Sequence, residues 1–426
     1  MKAVIERTNI NGSIAAPPSK SMTQRVYAAA LLHTGKTIIN GTGNSDDELA
    51  ALAIIQELGA KIIARTRTSI EIYSEGVLPL SGIIHCGESG LSARLFMPIA
   101  ALSDKTITVT GDGTLYKRPM AVFSSVFPQL NVSITSNDGH LPIELMGPLL
   151  PVSITMDGSE SSQFLSGLLF AFCYAITEPE IVITVHGLKS RPYIDMTLGV
   201  LKTFGYNVAH ENYREFYIRH PDADLSGKEI AVTIAGDWSS AAYFLVGGAL
   251  AGDIAISGLT DDHLQADSAI FSLLRDAGAD IAWSGDRIRV KQSKMTAFEF
   301  DATDCPDLFP VLAILAACCE GESYIKGVHR LLNKESNRAE SISEMLSNFE
   351  VPYSVEDDSF CITGVQVLQG TVIDSFHDHR IVMAAAIGAL QANSQVDILH
   401  AEAVNKSYPD FFKDFISCGG RCVLKP

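Results

Sequence analysis

Apolar segments that begin with polar residues recur along the chain. In the first of them, the apolar residues 26–32 follow Ser19, Lys20 and Ser21 closely, and a short turn then leads to the β-branched residues 37–39. A segment that is apolar on nearly all faces predicts a buried helix, and a short β-branched run predicts a strand. The pattern therefore predicts a unit in which a buried helix precedes a strand.

The same order of polar start, apolar helix and strand occurs six times. The residues that mark the six helix starts are separated by 71, 70, 77, 68 and 71 positions, and they are Ser21, Ser92, Ser162, Ser239, Asp307 and Asp378. Each unit also contains a second, amphipathic helix, of which the clearest has acidic residues at 46–48 and ends before Gly59, as helix-end preferences favour. Repetition at a fixed period indicates one supersecondary unit that is used again and again.

The longest of these spacings divides the repeats three and three. We therefore expect two similar domains, one of residues 14–230 and the other of residues 1–13 plus 231–426. The alternation of strands and helices predicts an α/β (α+β) fold. In each domain, three units would surround the buried first helices.

Composition excludes several classes of protein. Hydrophobic residues make up 47% and charged residues 19% of the 426 positions, and the net charge is −17. This composition is typical of a globular chain, and the negative charge argues against a nucleic-acid or anionic-membrane partner. The beginning of the chain has charges where a signal peptide needs an apolar core, and the eight cysteines form no CxxC pair. We therefore expect a cytoplasmic protein with reduced thiols.

Basic residues are concentrated near the predicted helix starts. Lys20, Arg118, Arg191, Lys334 and Arg338 all lie there, although a cation opposes the positive end of the helix dipole. Helix starts bind anions readily, so the set predicts a site for an anionic ligand. For any single position the alternative is a serine that only caps its helix and a basic side chain that only reaches solvent.

Chemistry on such a ligand needs an acid and a base. Asp307 precedes an apolar helix, and Glu335 lies between Lys334 and Arg338. Either residue could instead be an ordinary cap or an exposed acid in a first helical turn.

Taken together, these stretches resemble the 5-enolpyruvylshikimate-3-phosphate (EPSP) synthase family over nearly the whole chain. The matching motifs, in order, are residues 19–25, 44–47, 87–90, 117–119, 157–164, 190–195, 236–240, Asp307, 334–338, 378–380 and 405–410. The resemblance implies two domains, each of three βαβαββ-type repeats around buried helices (an inside-out α/β barrel), with the active site in the cleft between them. It also implies transfer of the enolpyruvyl group of phosphoenolpyruvate to the 5-hydroxyl of shikimate 3-phosphate, as in the shikimate pathway.

The resemblance also assigns roles to individual residues. It implies that Asp307 is the base, that Glu335 is the proton donor and that Lys20 lies near the reacting centre. The residues implied for shikimate 3-phosphate are Lys20, Ser21, Arg25, Ser161, Ser162, Gln163, Ser190, Asp307 and Lys334. Those implied for phosphoenolpyruvate are Lys20, Gly90, Arg118, Gln163, Arg338, Arg380 and Lys406. No metal, organic cofactor or macromolecular partner is expected, and we expect a monomer.

Three positions depart from the family pattern. One is Leu91, where the family commonly has threonine. Glu88 replaces the asparagine that commonly precedes the small residue and Gly90, and an acid there is unfavourable beside an anionic substrate unless it points away. Asn337 replaces the aspartate that commonly precedes Arg338. Every proposed charged group is nevertheless present.

Three other functions fit the sequence less well. A UDP-N-acetylglucosamine enolpyruvyltransferase has Lys-Asn where this chain has Lys20 and Ser21, and usually a cysteine in the loop that corresponds to residues 111–118, where this chain has none. A P-loop nucleotidase needs glycines where residues 15–21 have prolines. A non-catalytic binder of phosphorylated sugar acids would not need both Asp307 and Glu335.

Overall fold

A computed structural model describes residues 1–221, 226–261, 264–332 and 334–426. The chain divides into two compact units, Pro18–Ile234 and the combination of Met1–Pro17 with Ala235–Pro426. Among the described residues, none of the helices has the length and apolar character that a membrane crossing requires.

Helices and strands alternate in both units. The α-helices are α1 (Lys20–Leu32), α2 (Asp46–Glu57), α3 (Gly90–Ala100), α4 (Ala121–Val126), α5 (Ser162–Ala175), α6 (Arg191–Thr203), α7 (Trp238–Ala251), α8 (Ala269–Asp276), α9 (Phe309–Cys318), α10 (Arg338–Asn348), α11 (His379–Ala389) and α12 (Phe411–Ser417). The strands up to residue 233 are β1 (Lys2–Glu6), β2 (Ile10–Ala15), β3 (Gly35–Asn40), β4 (Lys61–Arg65), β5 (Ser69–Ser74), β6 (Ile83–His85), β7 (Thr106–Thr110), β8 (Ser133–Asn137), β9 (His140–Met146), β10 (Ile154–Asp157), β11 (Glu180–His186), β12 (Asn207–Glu211), β13 (Glu215–Arg219) and β14 (Glu229–Thr233). The remaining strands are β15 (Gly252–Ser257), β16 (Asp280–Ser284), β17 (Arg287–Lys291), β18 (Glu299–Asp301), β19 (Glu322–Lys326), β20 (Tyr353–Glu356), β21 (Ser359–Thr363), β22 (Val372–Asp374), β23 (Val396–Leu399) and β24 (Arg421–Lys425).

The described strands form six sheets of four strands with one common pattern. Their orders are β14-β3-β5-β4, β6-β7-β9-β8, β10-β11-β13-β12, β16-β17-β15-β2, β18-β19-β21-β20 and β22-β23-β1-β24. Each sheet contains one parallel pair, such as β6 with β7, and two antiparallel pairs, such as β7 with β9 and β8 with β9. This repetition confirms the six α/β units that the sequence pattern predicts.

The first helix of each repeat forms the interior. In the unit Pro18–Ile234, α1, α3 and α5 pack against one another, and in the other unit α7, α9 and α11 do the same. All residues of α3, α7 and α11 are buried, which explains why these segments are apolar on nearly every face.

The second helices are amphipathic and lie nearer the surface. In α2, Ser45 and Glu48 form a capping box, in which the serine side chain accepts a hydrogen bond from the backbone of Glu48 and the glutamate accepts one from the backbone of Ser45. This arrangement satisfies the free N–H groups at the helix start. Residues near the starts of the first helices contact one another within each unit. Arg94 of α3 is bonded to Gln163 of α5, and Arg380 of α11 is bonded to Ser239 of α7.

Candidate active site

Asp307 lies among three cations in the unit that contains residues 235–426. Its Oδ1 accepts hydrogen bonds from Nη1 of Arg338 at 2.8 Å and from Nζ of Lys334 at 3.4 Å. Its Oδ2 accepts a hydrogen bond from Nη2 of Arg380 at 2.9 Å. Asp307 is in the short 3-10 helix Pro306–Leu308, which leads directly into α9. The structure therefore brings Asp307, Lys334, Arg338 and Arg380 together, as a site for anions requires.

Arg338 is completely buried and contacts three carboxylates. Besides Asp307, it donates from Nε to Oδ2 of Asp378 at 2.9 Å and from Nη2 to Glu335. Asp378 also caps α11, because its Oδ1 accepts a hydrogen bond from the backbone N–H of Arg380 at 2.9 Å. The starts of α10 and α11 are thus joined through one guanidinium group.

The electrostatics of this cluster favour the charged forms of Asp307 and Arg338. Burial opposes ionisation of Asp307, but Arg380, Lys334 and Arg338 outweigh it and hold the pKa of Asp307 well below its usual range. Burial also disfavours the charge on Arg338, yet Asp378, Glu335 and Asp307 raise its pKa. For Lys334 the burial is the larger effect, and its pKa is lowered. Asp307 is therefore ionised at neutral pH.

Lys406 is the remaining predicted residue of this unit. It ends the 3-10 helix Ala401–Lys406 and is 5% exposed. A lysine is seldom so deeply buried unless its charge is compensated.

In the unit Pro18–Ile234, the predicted residues lie at or near the starts of α1, α3, α5 and α6. Lys20 begins α1, where Ser19 caps the helix, and its Nζ lies 2.8 Å from Oδ2 of Asp47. Arg25, one turn further on, donates from Nε to Oγ1 of Thr197 at 2.9 Å and from Nη1 to the carbonyl of Ser21 at 2.8 Å. Burial lowers the pKa of Arg25 to about 10, so the side chain is charged at neutral pH. Two predicted residues, Ser21 and Arg25, are thereby in direct contact.

Gly90 leaves room for Arg118. A Cβ atom at residue 90 would lie 2.7 Å from Nη1 of Arg118, closer than non-bonded carbon and nitrogen atoms approach. Gly90 is the first residue of α3, and Arg118 is buried. The absence of a side chain at residue 90 thus lets a guanidinium group lie against the start of a helix.

The serines at the starts of α5 and α6 have different surroundings. Ser161 caps α5 and accepts a hydrogen bond from the backbone N–H of Gln163 at 3.3 Å, and Ser162 begins the helix. Ser190 precedes α6 in the left-handed region, with φ 52° and ψ 49°, and its side chain forms no cap. Such a conformation is uncommon for a non-glycine residue and is found at functional sites more often than elsewhere.

Glu88 and Asn337, which depart from the family pattern, have different surroundings. The side chain of Glu88 packs against Gly113, the first residue of the 3-10 helix Gly113–Lys117. Asn337 is the residue before α10, and its side chain makes no cap hydrogen bond.

Sequence reasoning did not select three residues that the structure connects to this set. Arg94 donates from Nη1 to Oε1 of Gln163 at 3.0 Å and from Nη2 to the carbonyl of Pro119 at 3.1 Å, so it joins two predicted regions. Ser239 donates a hydrogen bond to Asp267 and accepts one from Arg380. Arg94 is a charged residue two positions after Ser92, the marker of the second repeat, and this placement could have singled it out. No sequence pattern connects Ser239, the marker of the fourth repeat, to Asp267.

One group of side chains in the described ranges could hold a metal ion. The candidate ligand atoms of His377, His400 and Glu402 lie within 4.8 Å of one another. Glu402 already lies 2.7 Å from the terminal amino group of Met1, and we assign no metal to the group. All eight cysteines are free thiols, five of them buried.

The fold is shared with enolpyruvyl-transferring enzymes of known structure. The structure of EPSP synthase from Acinetobacter baumannii matches with a TM-score of 0.82 and 25% identity, covering 99% of this chain and 100% of that one. The enolpyruvyl transferase NikO from Streptomyces tendae shares the fold, with a TM-score of 0.80 and 16% identity over 99% of this chain and 98% of that one.

Sequence comparison defines the family. The profile described as EPSP synthase (3-phosphoshikimate 1-carboxyvinyltransferase) matches residues 4–415. A 3-phosphoshikimate 1-carboxyvinyltransferase from Clostridium novyi is 35% identical, covering 97% of this chain and 96% of its own length. The enzyme of that name from Methanocorpusculum labreanum is 34% identical, covering 98% and 99%. The chain belongs to the EPSP synthase family, which confirms the resemblance found in its motifs.

Proposed function

We propose that the protein transfers the enolpyruvyl group of phosphoenolpyruvate to the 5-hydroxyl of shikimate 3-phosphate and releases phosphate. Membership of the family supports this reaction. The observation that carries it is the partly buried carboxylate of Asp307, which lies against Lys334, Arg338 and Arg380. Glu335 is bonded to Arg338 as well. This cluster supplies a base, an acid and several cations for a doubly anionic substrate.

The proposed reaction has an addition step and an elimination step. In the addition, Asp307 accepts the proton of the 5-hydroxyl, the oxygen bonds to C2 of phosphoenolpyruvate, and Glu335 gives a proton to the methylene carbon C3. In the elimination, C3 loses a proton and phosphate leaves C2, which restores the double bond. Protonation of C3 increases the positive character of C2, and a positioned acid and base accelerate both proton transfers.

Binding of phosphoenolpyruvate would prepare Asp307 to accept a proton. Without substrate, Arg338 and Arg380 compensate Asp307 and hold its pKa low, so its carboxylate is a weak base. A phosphate or carboxylate group of phosphoenolpyruvate would share the same guanidinium groups, because arginine recognises such groups through bidentate hydrogen bonds. The loss of part of this compensation raises the pKa of Asp307 toward the range in which it can take a proton.

Residues of both units are assigned to the substrates in this proposal. Shikimate 3-phosphate would be bound by Lys20, Ser21, Arg25, Ser161, Ser162, Gln163, Ser190, Asp307 and Lys334. Phosphoenolpyruvate would be bound by Lys20, Gly90, Arg118, Gln163, Arg338, Arg380 and Lys406. The contact between Arg25 and Ser21 and the space that Gly90 leaves for Arg118 support these two assignments.

Several properties predicted from the sequence remain part of the proposal. They are the domains 14–230 and 1–13 plus 231–426, a monomeric state, a cytoplasmic location and activity without a metal or organic cofactor. Light scattering of the purified protein tests the monomer. Dialysis against EDTA tests the last point, since the rate should not change.

The reaction is tested by the release of phosphate from shikimate 3-phosphate and phosphoenolpyruvate. We expect turnover with these two substrates and none when UDP-N-acetylglucosamine replaces shikimate 3-phosphate. Asp307→Asn should reduce kcat by about 10²-fold or more, because a general base contributes about that much. Asp276→Asn, which changes an exposed acid at the end of α8, is the control. Binding of both substrates without turnover would instead indicate a non-catalytic binder.

A further inference from the structure

Ser239 and Asp267 form a buried hydrogen-bonded pair behind Arg380. Ser239 is the second residue of α7, and Asp267 is in the 3-10 helix Ala266–Ser268. Both side chains are buried, and Oγ of Ser239 donates to Oδ2 of Asp267 at 2.6 Å. Nη2 of Arg380 donates to the same Oγ at 3.2 Å and to Oδ2 of Asp307 at 2.9 Å. The pair is thus joined to the predicted base through one guanidinium nitrogen.

The direction of these hydrogen bonds follows from the groups involved. A hydroxyl group has a single hydrogen, whereas an ionised carboxylate can only accept and a guanidinium can only donate. Because Asp267 takes the hydrogen of Ser239, the lone pairs of the oxygen remain for Arg380. The separation of 2.6 Å falls in the range of short, charge-assisted O–H···O⁻ bonds. Asp267 therefore fixes which way the Ser239 hydroxyl points.

The segment that contains Asp267 is itself fastened to the start of α7. Gln265 accepts a hydrogen bond from the backbone N–H of Trp238 at 3.0 Å and donates one to the carbonyl of Gly236 at 2.8 Å. Trp238 in turn donates from its indole nitrogen to the carbonyl of Thr260 at 2.9 Å. These bonds hold residue 267 at a fixed place relative to Ser239.

A buried carboxylate with only a structural role costs more stability than an apolar residue at the same position would. Burial and the nearby charge of Asp307 raise the pKa of Asp267 to about 6, against the opposing effects of Arg380 and the Ser239 hydrogen bond. The charged or titratable groups around Asp267 are thus Asp307, Arg380, Asp237 and Cys305. Retaining a second carboxylate beside Asp307 is costly, which is consistent with a role in the site.

We propose that Asp267 is a positioning residue that acts through the hydroxyl of Ser239 to hold the Arg380 guanidinium against Asp307. This proposal rests on the proposed function, in which Arg380 binds phosphoenolpyruvate and Asp307 takes the hydroxyl proton. Loss of Ser239 or Asp267 allows Nη2 of Arg380 to move. This movement affects both the binding of phosphoenolpyruvate and the contact with Asp307. The effect should consequently appear in the KM for phosphoenolpyruvate and in kcat.

The test is a double-mutant cycle in the full-length enzyme. Ser239→Ala, Asp267→Asn and the double variant are compared in steady-state assays with both substrates, after thermal unfolding has shown that each is folded. Ser240→Ala is the matched control, because this neighbouring serine is also buried but lies outside the chain of bonds to Arg380. Each single variant should raise the KM for phosphoenolpyruvate, and lower kcat, by about 10-fold, the equivalent of one charge-assisted hydrogen bond.

The members of a chain that acts in series should not have additive effects. We therefore expect the double variant to be no worse than the poorer single variant, and the KM for phosphoenolpyruvate to change several-fold more than that for shikimate 3-phosphate. Additive effects, equal changes in both KM values, or kinetics like those of Ser240→Ala would overturn the positioning role. Failure of the unaltered enzyme to turn over the two substrates would instead refute the proposed function, so the two failures are distinguishable.

Discussion

The guanidinium of Arg338 and the carboxylate of Asp378 are both fully buried, and Nε of the arginine lies 2.9 Å from Oδ2 of the aspartate. The same guanidinium also contacts Asp307 and Glu335. A buried ion pair is not in itself stabilising, because the loss of hydration offsets the attraction between the charges. Removal of one partner is nevertheless harmful, since the other charge then remains buried with less compensation.

Asp378→Ala should therefore be strongly destabilising. We expect the free energy of unfolding to fall by about 3 kcal/mol or more, from the uncompensated charge on Arg338 and from the lost cap of α11. The KM for phosphoenolpyruvate should rise as well, because Arg338 and Arg380 both lose a positioning contact. Urea unfolding and steady-state kinetics measure the two effects.

A bidentate pair on the surface provides the control for this variant. Arg289 donates to both oxygens of Asp253, at 2.8 and 2.6 Å, and both side chains are substantially exposed. Asp253→Ala should cost about 1 kcal/mol or less, as is usual for exposed pairs, and should not alter the kinetics. Equal losses of stability in the two variants would show that burial of the Arg338 pair is not what makes it important.

Glu335→Gln should reduce kcat with little change in either KM. A glutamine can still accept a hydrogen bond from Arg338 but cannot give a proton to carbon, so kcat should fall by about 10²-fold or more. Glu344→Gln makes the same chemical change on an exposed residue of α10 and should leave kcat unaltered. A raised KM with normal kcat would show that Glu335 binds substrate instead of donating the proton.

Gly90→Ala should weaken binding of phosphoenolpyruvate without weakening the fold. The new Cβ would lie 2.7 Å from Nη1 of Arg118, and the guanidinium must move away. A displacement of this size should raise the KM for phosphoenolpyruvate by about 10-fold or more, whereas alanine in a helix is favoured over glycine by about 1 kcal/mol. Steady-state kinetics and thermal unfolding together separate these effects.

A second glycine variant serves as the control for residue 90. Gly82→Ala places a Cβ near only one heavy atom, the carbonyl oxygen of Thr106, and involves no predicted ligand. Its KM should match that of the unaltered enzyme. An unchanged KM in Gly90→Ala as well would remove Arg118 from the phosphoenolpyruvate site.

The sequence predicts the repeats well because burial constrains every position of the first helices. Residues 241–251, for example, are all apolar apart from the hydroxyl of Tyr243, because every residue of α7 is buried. Six such segments at nearly even spacing define the fold. The strand pairing is less apparent from the sequence. β1 pairs with β23 and β24, whereas β2 pairs with β15, and no local pattern indicates these distant partners.

The candidate site is predicted only in part for a related reason. Lysine and arginine residues at helix starts are unusual enough to be noticed in a sequence, and Lys20 and Arg338 are predicted in this way, whereas Arg380 is predicted through the family resemblance. Ser239 marks a predicted helix start, but Asp267 has no distinguishing local feature, and the role of the pair depends on a hydrogen bond between positions 28 residues apart. Likewise, the contact of Arg94 with Gln163 joins two helices from different repeats. Contacts of this kind are properties of the packed helices, which the local sequence does not encode.

The raised pKa of Asp267 predicts how its contribution to stability depends on pH. Burial and Asp307 raise this pKa to about 6, above the value of about 3.9 for an unfolded chain. The folded state therefore holds the proton more tightly, and the stability due to this group is complete below the unfolded pKa and is lost as the pH rises through about 6. Asparagine does not titrate. The free energy of unfolding of Asp267→Asn should therefore rise relative to that of the unaltered protein, by about 1 kcal/mol, between pH 5 and pH 7.5.

Urea unfolding of both proteins at several pH values measures this difference. Other groups titrate in the two proteins alike, so they largely cancel, and Asp276→Asn should show a constant difference because that carboxylate is exposed. A constant difference for Asp267→Asn would mean that Asp267 has an ordinary pKa in the folded state. A difference that favours the aspartate at high pH would mean that Arg380 lowers the pKa of Asp267, as the cations do for Asp307, and that Asp267 belongs among the permanently charged members of the cluster.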